Sequence, residues 1–200
     1  MCGRGDPAYR KFRDRHYVVN NGCIGQQLHY LIEDENEIVG IISGCSSTWG
    51  VKPRDDYFGL NADNKCVGLP SIINNCVYRL EKHTPNLATM CLALWRRTIA
   101  RDWEMRYGVK VHGFETFVIP NEMRTGALYK ADNWTFLGKT QGCAKTHSGL
   151  ETKSGRKSVE EKLIFVKKIP GTKLSDHYHA TWRSGNDERQ MDLFEQGDKL

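Results

Sequence analysis

Hydrophobic and polar positions along this chain follow two different periods. The stretch LHYLIEDENEIVGIISG, residues 28–44, places two short, β-branched apolar runs on either side of the acidic turn EDENE, and it predicts a hairpin over Gln27 to Gly44. Ser71 to Leu80, SIINNCVYRL, predicts another strand; Asn74 and Asn75 are disfavoured at its centre and mark a bulge or a ligand-facing position. From Leu87 to about Arg106 the period becomes helical. Leu87, Met90, Cys91, Leu94, Trp95 and Ile99 recur on one stripe, Arg96, Arg97 and Arg101 lie mostly off it, Asn86 or Thr84 serves as N-cap, and Gly108 ends the unit. A β-rich run returns between Val109 and Ile119 and stops at Pro120 and Asn121. Gly126 then opens a short helical turn, Ala127 to Lys130, which ends at Asn133, a residue that tolerates a left-handed backbone. Trp134 to Leu137 restarts a strand and LIFVKKI, residues 163–169, supplies the closing one. A strand, a long helix and a strand in that order predict a parallel crossover, with Ile72–Leu80 beside Val111–Ile119 in a mixed α/β sheet of roughly six or seven strands.

Composition adds boundaries. Residues 1–8 carry Gly, Arg and Pro without period and read as a disordered arm; residues 9–170 form one domain, and residues 171–200 form a polar tail. No apolar run is long enough to span a bilayer and the first residues are charged rather than signal-like, so a soluble, cytoplasmic protein with no membrane partner is expected, in the host cytoplasm if the source is viral. Cysteines at 2, 23, 45, 66, 76, 91 and 143 form no Cys-x-x-Cys pair, which points to reduced thiols rather than a disulfide framework or zinc. Asp176-His177-Tyr178-His179 has no further ligand nearby, so no metal site is assigned.

The net charge of +5 is laid out unevenly. Arginines crowd the front, the end from Gly185 leans acidic, and Lys139 to Lys168 is a basic flap in which Lys153, Arg156 and Lys157 either contact phosphates or are simply solvated. Residues 45–68 read as a long polar connection, either a functional loop or a small insertion. Its Trp49, Tyr57 and Phe58, mixed with Lys52 and Arg54, either stack on bases and touch phosphates or pin the loop to the body. His16 beside Tyr17 is either a proton-handling pair or packing for the first element. The loop KHTPN, residues 82–86, enters the long helix, whose free N–H groups suit an anion.

The run Ala127-Leu128-Tyr129 followed by Asn133, Trp134 and Gly138 resembles the C-terminal segment of the Gcn5-related N-acetyltransferases, with Asn133 and Trp134 where that family usually has glycine and phenylalanine. The resemblance implies helices on both faces of the sheet and coenzyme A pyrophosphate at the strand-to-helix loop, although KHTPNLAT contains none of the family's glycines there. Acyl-CoA or another activated acyl donor is the implied small-molecule partner, with Thr84, Asn86, Leu87 and Asn133 as candidate contacts.

A wider ordered set resembles the family of the Druantia anti-phage system protein. It comprises His16-Tyr17, Arg54-Asp55 with Tyr57-Phe58-Gly59, Asn74-Asn75, Asn86-Leu87-Ala88, Asp102-Trp103, Glu115-Thr116-Phe117-Val118, and Tyr129-Lys130-Ala131 with Asn133-Trp134. More distantly the layout is similar to the Mom DNA-modification proteins, known from phage Mu, which have an acetyltransferase-like fold and modify adenine. These resemblances imply an enzyme that transfers a small group to a base in DNA and has an anti-restriction role. They equally allow a non-catalytic DNA-binding subunit of a defence or mobile-element system. On the enzymatic reading His16, Tyr17, Glu115 and Tyr129 are the catalytic candidates and converge on one cleft, and Trp49, Arg54, Lys153, Arg156 and Lys157 are the DNA contacts.

Overall fold

A computed structural model describes residues 1–18, 25–140 and 161–174. The hairpin forms as its period predicts: β1 (Gln27–Asp34) and β2 (Glu37–Ser46) pair antiparallel. Glu35 and Asn36 both take positive φ, 51° and 66°, the left-handed pair that a tight hairpin turn requires. β3 (Ile72–Leu80) lies antiparallel to β2, and β4 (Gly113–Val118) lies parallel to β3. Between them runs the long helix (Leu87–Tyr107). β5 (Thr135–Lys139) and β6 (Leu163–Lys168) complete a six-stranded sheet in the order β1-β2-β3-β4-β6-β5.

The front of the chain departs from the expected disordered arm. Asp6 Oδ1 accepts from the N–H groups of Ala8 and Tyr9, Pro7 fills the first turn, and α1 (Pro7–Arg13) follows, while Cys2 bridges to His29. Nor is 45–68 an unstructured connection. Pro53 in the first turn and Gly59 in the left-handed conformation at the end bound α2 (Lys52–Phe58), and α3 (Lys65–Gly68) follows. The long helix is α4 and the short one after β4 is α5 (Ala127–Ala131).

Helices cover both faces. Ile42, Ile73 and Phe114 face Leu92, Trp95, Ile99 and Trp103 of α4, while Ile41 and Val77 meet Tyr9 and Phe12 of α1, and Ile72 and Val166 meet Phe58 of α2. α4 approaches so closely that a Cβ on Gly44 would lie 2.4 Å from Ile99 Cδ1. The inward stripe of α4 is rotated from the expected one. Met90 and Leu94 are exposed, and Asp102 is buried with Tyr30 Oη donating to it at 3.0 Å, so a carboxylate occupies a place in the buried face that an apolar pattern passes over.

Candidate active site at the strand fork

Parallel pairing of β3 and β4 covers Ile72–Asn74 against Gly113–Glu115 and then ends. Beyond it the strands part, which leaves backbone groups that need other partners. The pairing of β2 with β3 slips at the same level: Gly44 faces Asn75 and Ser43 faces Val77, so Cys76 is bulged. The bulge lets Asn75 point to the α4–α5 side while Val77 points to the α1 side.

Asn75 is held on both ends. Its Nδ2 donates to Ser43 O at 3.1 Å and to Val77 O at 3.4 Å, which leaves Oδ1 to accept the Tyr129 hydroxyl at 2.8 Å. Thr116 Oγ1 donates to Asn75 O at 3.0 Å and lies 3.4 Å from Tyr129 Oη. Three side chains from β3, β4 and α5 therefore close the fork where the ladder has stopped. Tyr129 is fixed from its other sides by Phe165, stacked at 5.6 Å, and Trp134, edge-on at 5.1 Å. Burial raises the phenol pKa, so Tyr129 carries its proton throughout the physiological range.

A cleft of about 540 Å³ opens beside this cluster. Its walls are Tyr78 and Leu80 of β3, the loop Lys82–Pro85, Ala88 in the first turn of α4 and Leu128 of α5. Leu128 immediately precedes Tyr129 in α5, so the cleft and the fork share that short helix. Of the expected donor contacts, Thr84 lines this cleft and Asn86 and Leu87 begin the helix beside it. Asn86 does not cap with its side chain: its backbone is left-handed (φ 63°), whereas a capping residue is normally extended, and Leu87 N donates instead to Thr84 O at 3.2 Å. Asn133 is left-handed as expected (φ 57°), but its carbonyl accepts from Lys167 Nζ at 3.3 Å and it is absent from the cleft walls.

The four catalytic candidates divide. His16 and Tyr17 sit just past α1 with rings 4.5 Å apart, and Tyr17 adds, after burial, to the upward shift of the Tyr129 phenol. His16 is buried, and burial with Arg13, Arg79 and Arg124 around it pushes its imidazole down to about 4; Val18 N–H donates to Nδ1 at 3.2 Å. Glu115 does not join them. Successive strand residues face opposite sides, so Thr116 meets Tyr129 while Glu115 turns to the α2 face. There it is wholly buried against Arg54 Nη1 and accepts from Thr48 N at 3.2 Å. Burial pushes its carboxyl up, and Arg54, Ser47 and Thr48 pull it back. The expected convergence of all four on one cleft is thus corrected: Glu115 faces the side of the sheet opposite Tyr129, and none of the four is among the cleft walls.

Arg54 also needs correction as a DNA contact. Its side chain is fully buried, spanning Glu115, Asp55 at 2.7 Å and Thr48 O, and Asp55 is in turn paired with Lys65 at 2.5 Å. No phosphate reaches it. Trp49 remains exposed at 58 %, with Lys65 Nζ 5.1 Å over its ring. Lys153, Arg156 and Lys157 lie outside the described residues, as does the polar tail from residue 175. Among the described residues no cluster of ligands fits a metal, and no helix is long and apolar enough to cross a membrane. Sequence reasoning noted Asn75 without assigning it and missed Thr116, Tyr78 and Arg124; strand alternation from Glu115 was the available signal for Thr116.

A mixed sheet with one parallel pair that forks beside a crossover helix, covered by helices on both faces, is the Gcn5-related N-acetyltransferase-like layout. Residues 5–159 match the family model described as Druantia protein DruA, and the chain belongs to that family. No curated protein matches the sequence. Among solved structures it is similar to RimL, a ribosomal L7/L12 α-N-protein acetyltransferase, at TM-score 0.46 and 12 % identity over 72 % of this chain and 70 % of that one. It is also similar to a ribosomal-protein-S5-alanine acetyltransferase from Vibrio fischeri (0.45, 11 %, 72 % and 63 %) and to the microcin C7 self-immunity acetyltransferase MccE in complex with acetyl-CoA and AMP (0.42, 16 %, 72 % and 61 %). The chain spans slightly less than two thirds of the last two.

Proposed function

We propose that the protein is a transferase that moves a small acyl-type group from an activated donor in the Tyr78–Leu128 cleft to an amine of a DNA base presented at the fork. The observation that carries this reading is a cleft whose walls run from Ala88 in the first turn of α4 to Leu128, the residue before the buried, protonated Tyr129. The first turn of α4 contains no acidic residue, and Thr84, Asn86 and Leu87 surround its free N–H end, which suits the phosphates of an acyl-CoA donor. Such a donor would supply an activated carbonyl carbon. The new bond is N–C, the broken bond is C–S, and the departing thiolate needs one proton while the nitrogen sheds one. Tyr129 holds a proton at its hydroxyl for the thiolate, and Asn75 fixes the direction of that hydroxyl. The exocyclic amine of a nucleobase is uncharged at neutral pH, so no strong base is needed to free it. His16, neutral and weakly basic, is sufficient to take the proton released later.

Mass spectrometry of nucleosides from the DNA of cells expressing the protein tests this reading. A new modified base, lost with Tyr129→Phe, is expected; unmodified DNA would overturn it. A second reading, a non-catalytic DNA-binding subunit, is favoured by the commitment of the Tyr129 proton to Asn75 and of Glu115 to Arg54. It predicts DNA binding without any new nucleoside.

A further inference from the structure

Just past the C-terminal end of α1, His16, Tyr17 and Arg124 form a cluster of which the catalytic reading uses only His16. His16 lies 4.5 Å from the Tyr17 ring, and Arg124 Cζ lies 4.2 Å from the same ring centroid. Both groups lie within stacking distance of the Tyr17 ring. The cluster is anchored at both ends. His16 is buried, and Arg124 Nε donates to Ile119 O at 3.1 Å. The loop that carries Arg124 is itself a closed turn, with Asn121 Oδ1 accepting from Met123 N at 3.0 Å and from Arg124 N at 2.6 Å.

Arg124 makes no carboxylate ion pair among the described residues, while Arg15 and Arg79 share Glu81 at 3.1 and 2.8 Å. Together with Arg13 these cations outnumber the nearby carboxylates, Glu81, Asp14 and Glu122, by four to three. The imidazole of His16 is depressed first by its burial and then by Arg13, Arg79 and Arg124. Tyr17 keeps 40 % of its surface exposed and the neighbouring Met123 keeps 92 %, so the rim is open.

We propose that the outer face of Arg124 is a stacking plate for an unpaired nucleobase, with the surrounding arginines receiving the flanking phosphates. This deepens the DNA reading and rests on it. A guanidinium held flat against an aromatic ring offers its other plane to a second π system and its edge N–H groups to phosphate oxygens. A simple anion would use only the edge and would gain nothing from the plane fixed on Tyr17. A base inside a duplex is already covered on both faces, so the plate selects single-stranded or everted nucleotides. Arg124 is tied to Ile119, the residue after β4, and Thr116 of the same strand meets Tyr129, so such a nucleotide sits at the fork's end of β4.

Fluorescence anisotropy of the full chain with a labelled oligodeoxythymidylate, its duplex form and competing coenzyme A tests the proposal, with thermal unfolding as the check on folding. Arg124→Ala should weaken single-strand binding about tenfold, in the range of one lost stacking contact. Arg124→Lys, which keeps the charge and loses the plane, should weaken it while leaving the salt dependence unchanged. If the wild-type protein binds DNA and both variants bind equally well, the stacking plate is wrong and the DNA reading stands. If the wild-type protein binds no nucleic acid, both fall. Displacement of the oligonucleotide by coenzyme A through Arg124 would overturn the proposal by assigning the plate to the donor.

Discussion

Glu115 and Arg54, sixty-one positions apart, form an ion pair with neither side chain exposed to solvent. Each offsets part of the other's desolvation penalty, and Asp55, Thr48 and Lys65 satisfy their remaining polar atoms. The pair joins α2 to β4 at the level where the parallel ladder ends. Glu115→Ala is expected to destabilise the fold by about 3 to 5 kcal/mol, the cost of stranding a buried guanidinium. Urea denaturation checks this; a loss within experimental error of zero would mean that water reaches Arg54.

His16 makes stability depend on pH. Its imidazole is lowered to about 4 in the folded protein against an ordinary value of 6.5, so between those values the unfolded chain binds the proton and the folded chain does not. The contribution is complete above pH 6.5 and is lost as pH falls toward 4; at full extent it is on the order of 3 kcal/mol. Denaturation midpoints of wild type and His16→Gln, compared across this window, should show a steeper acid loss in the wild type. Parallel curves would contradict the buried, neutral imidazole.

What the sequence made legible follows from how local each signal is. The hairpin, the strand at Ile72–Leu80 and the helix from Leu87 depend on periods and turn residues within a few positions, and they form where expected. Arg54 depends on a distant partner: an arginine among Pro, Asp and Lys reads as solvated until Glu115 is placed against it. Asp102 was passed over for the same reason, since the Tyr30 hydroxyl is what makes a carboxylate acceptable on the buried face of α4. The division of Glu115 from Tyr129 was available in principle, because alternation puts Thr116 on the side that Glu115 leaves.

Gly126 sets the position of Tyr129. It has φ 78°, and a Cβ there would lie 2.3 Å from Phe165 Cζ, inside the ring on which Tyr129 stacks. Gly126→Ala therefore combines a disfavoured backbone with a steric clash. It should lower stability by about 1 to 3 kcal/mol and displace α5. Calorimetry measures the first effect and the aromatic circular dichroism of the Tyr129–Trp134 pair the second; an unchanged melt would exclude the tight packing seen here.

Salt dependence tests the wider DNA surface. Lys153, Arg156 and Lys157 are outside the described residues, and their assignment rests on the basic character of the segment. If they meet phosphates, replacing all three by Ala should reduce the slope of log K against log salt by up to about 2 to 3 units for duplex DNA. A slope equal to wild type would confine DNA contacts to other surfaces.

Tyr129→Phe separates the structural part of the fork from the chemical part. The hydroxyl closes a gap between β3 and β4, and its removal leaves Asn75 Oδ1, a buried acceptor, without the donor it has at 2.8 Å. Loss of that bond should cost about 1 to 3 kcal/mol, while the ring still stacks on Phe165 and the fold survives. If the hydroxyl only braces the fork, Tyr129→Phe with Asn75→Leu, which removes acceptor and donor together, should recover part of the stability and the full yield of modified nucleoside. If the hydroxyl is the proton source for the departing thiolate, the double variant should recover stability alone and the nucleoside should remain absent. Parallel thermal melts and nucleoside mass spectrometry on the single and double variants decide between them, and restored modification in the double variant would remove Tyr129 from the chemistry.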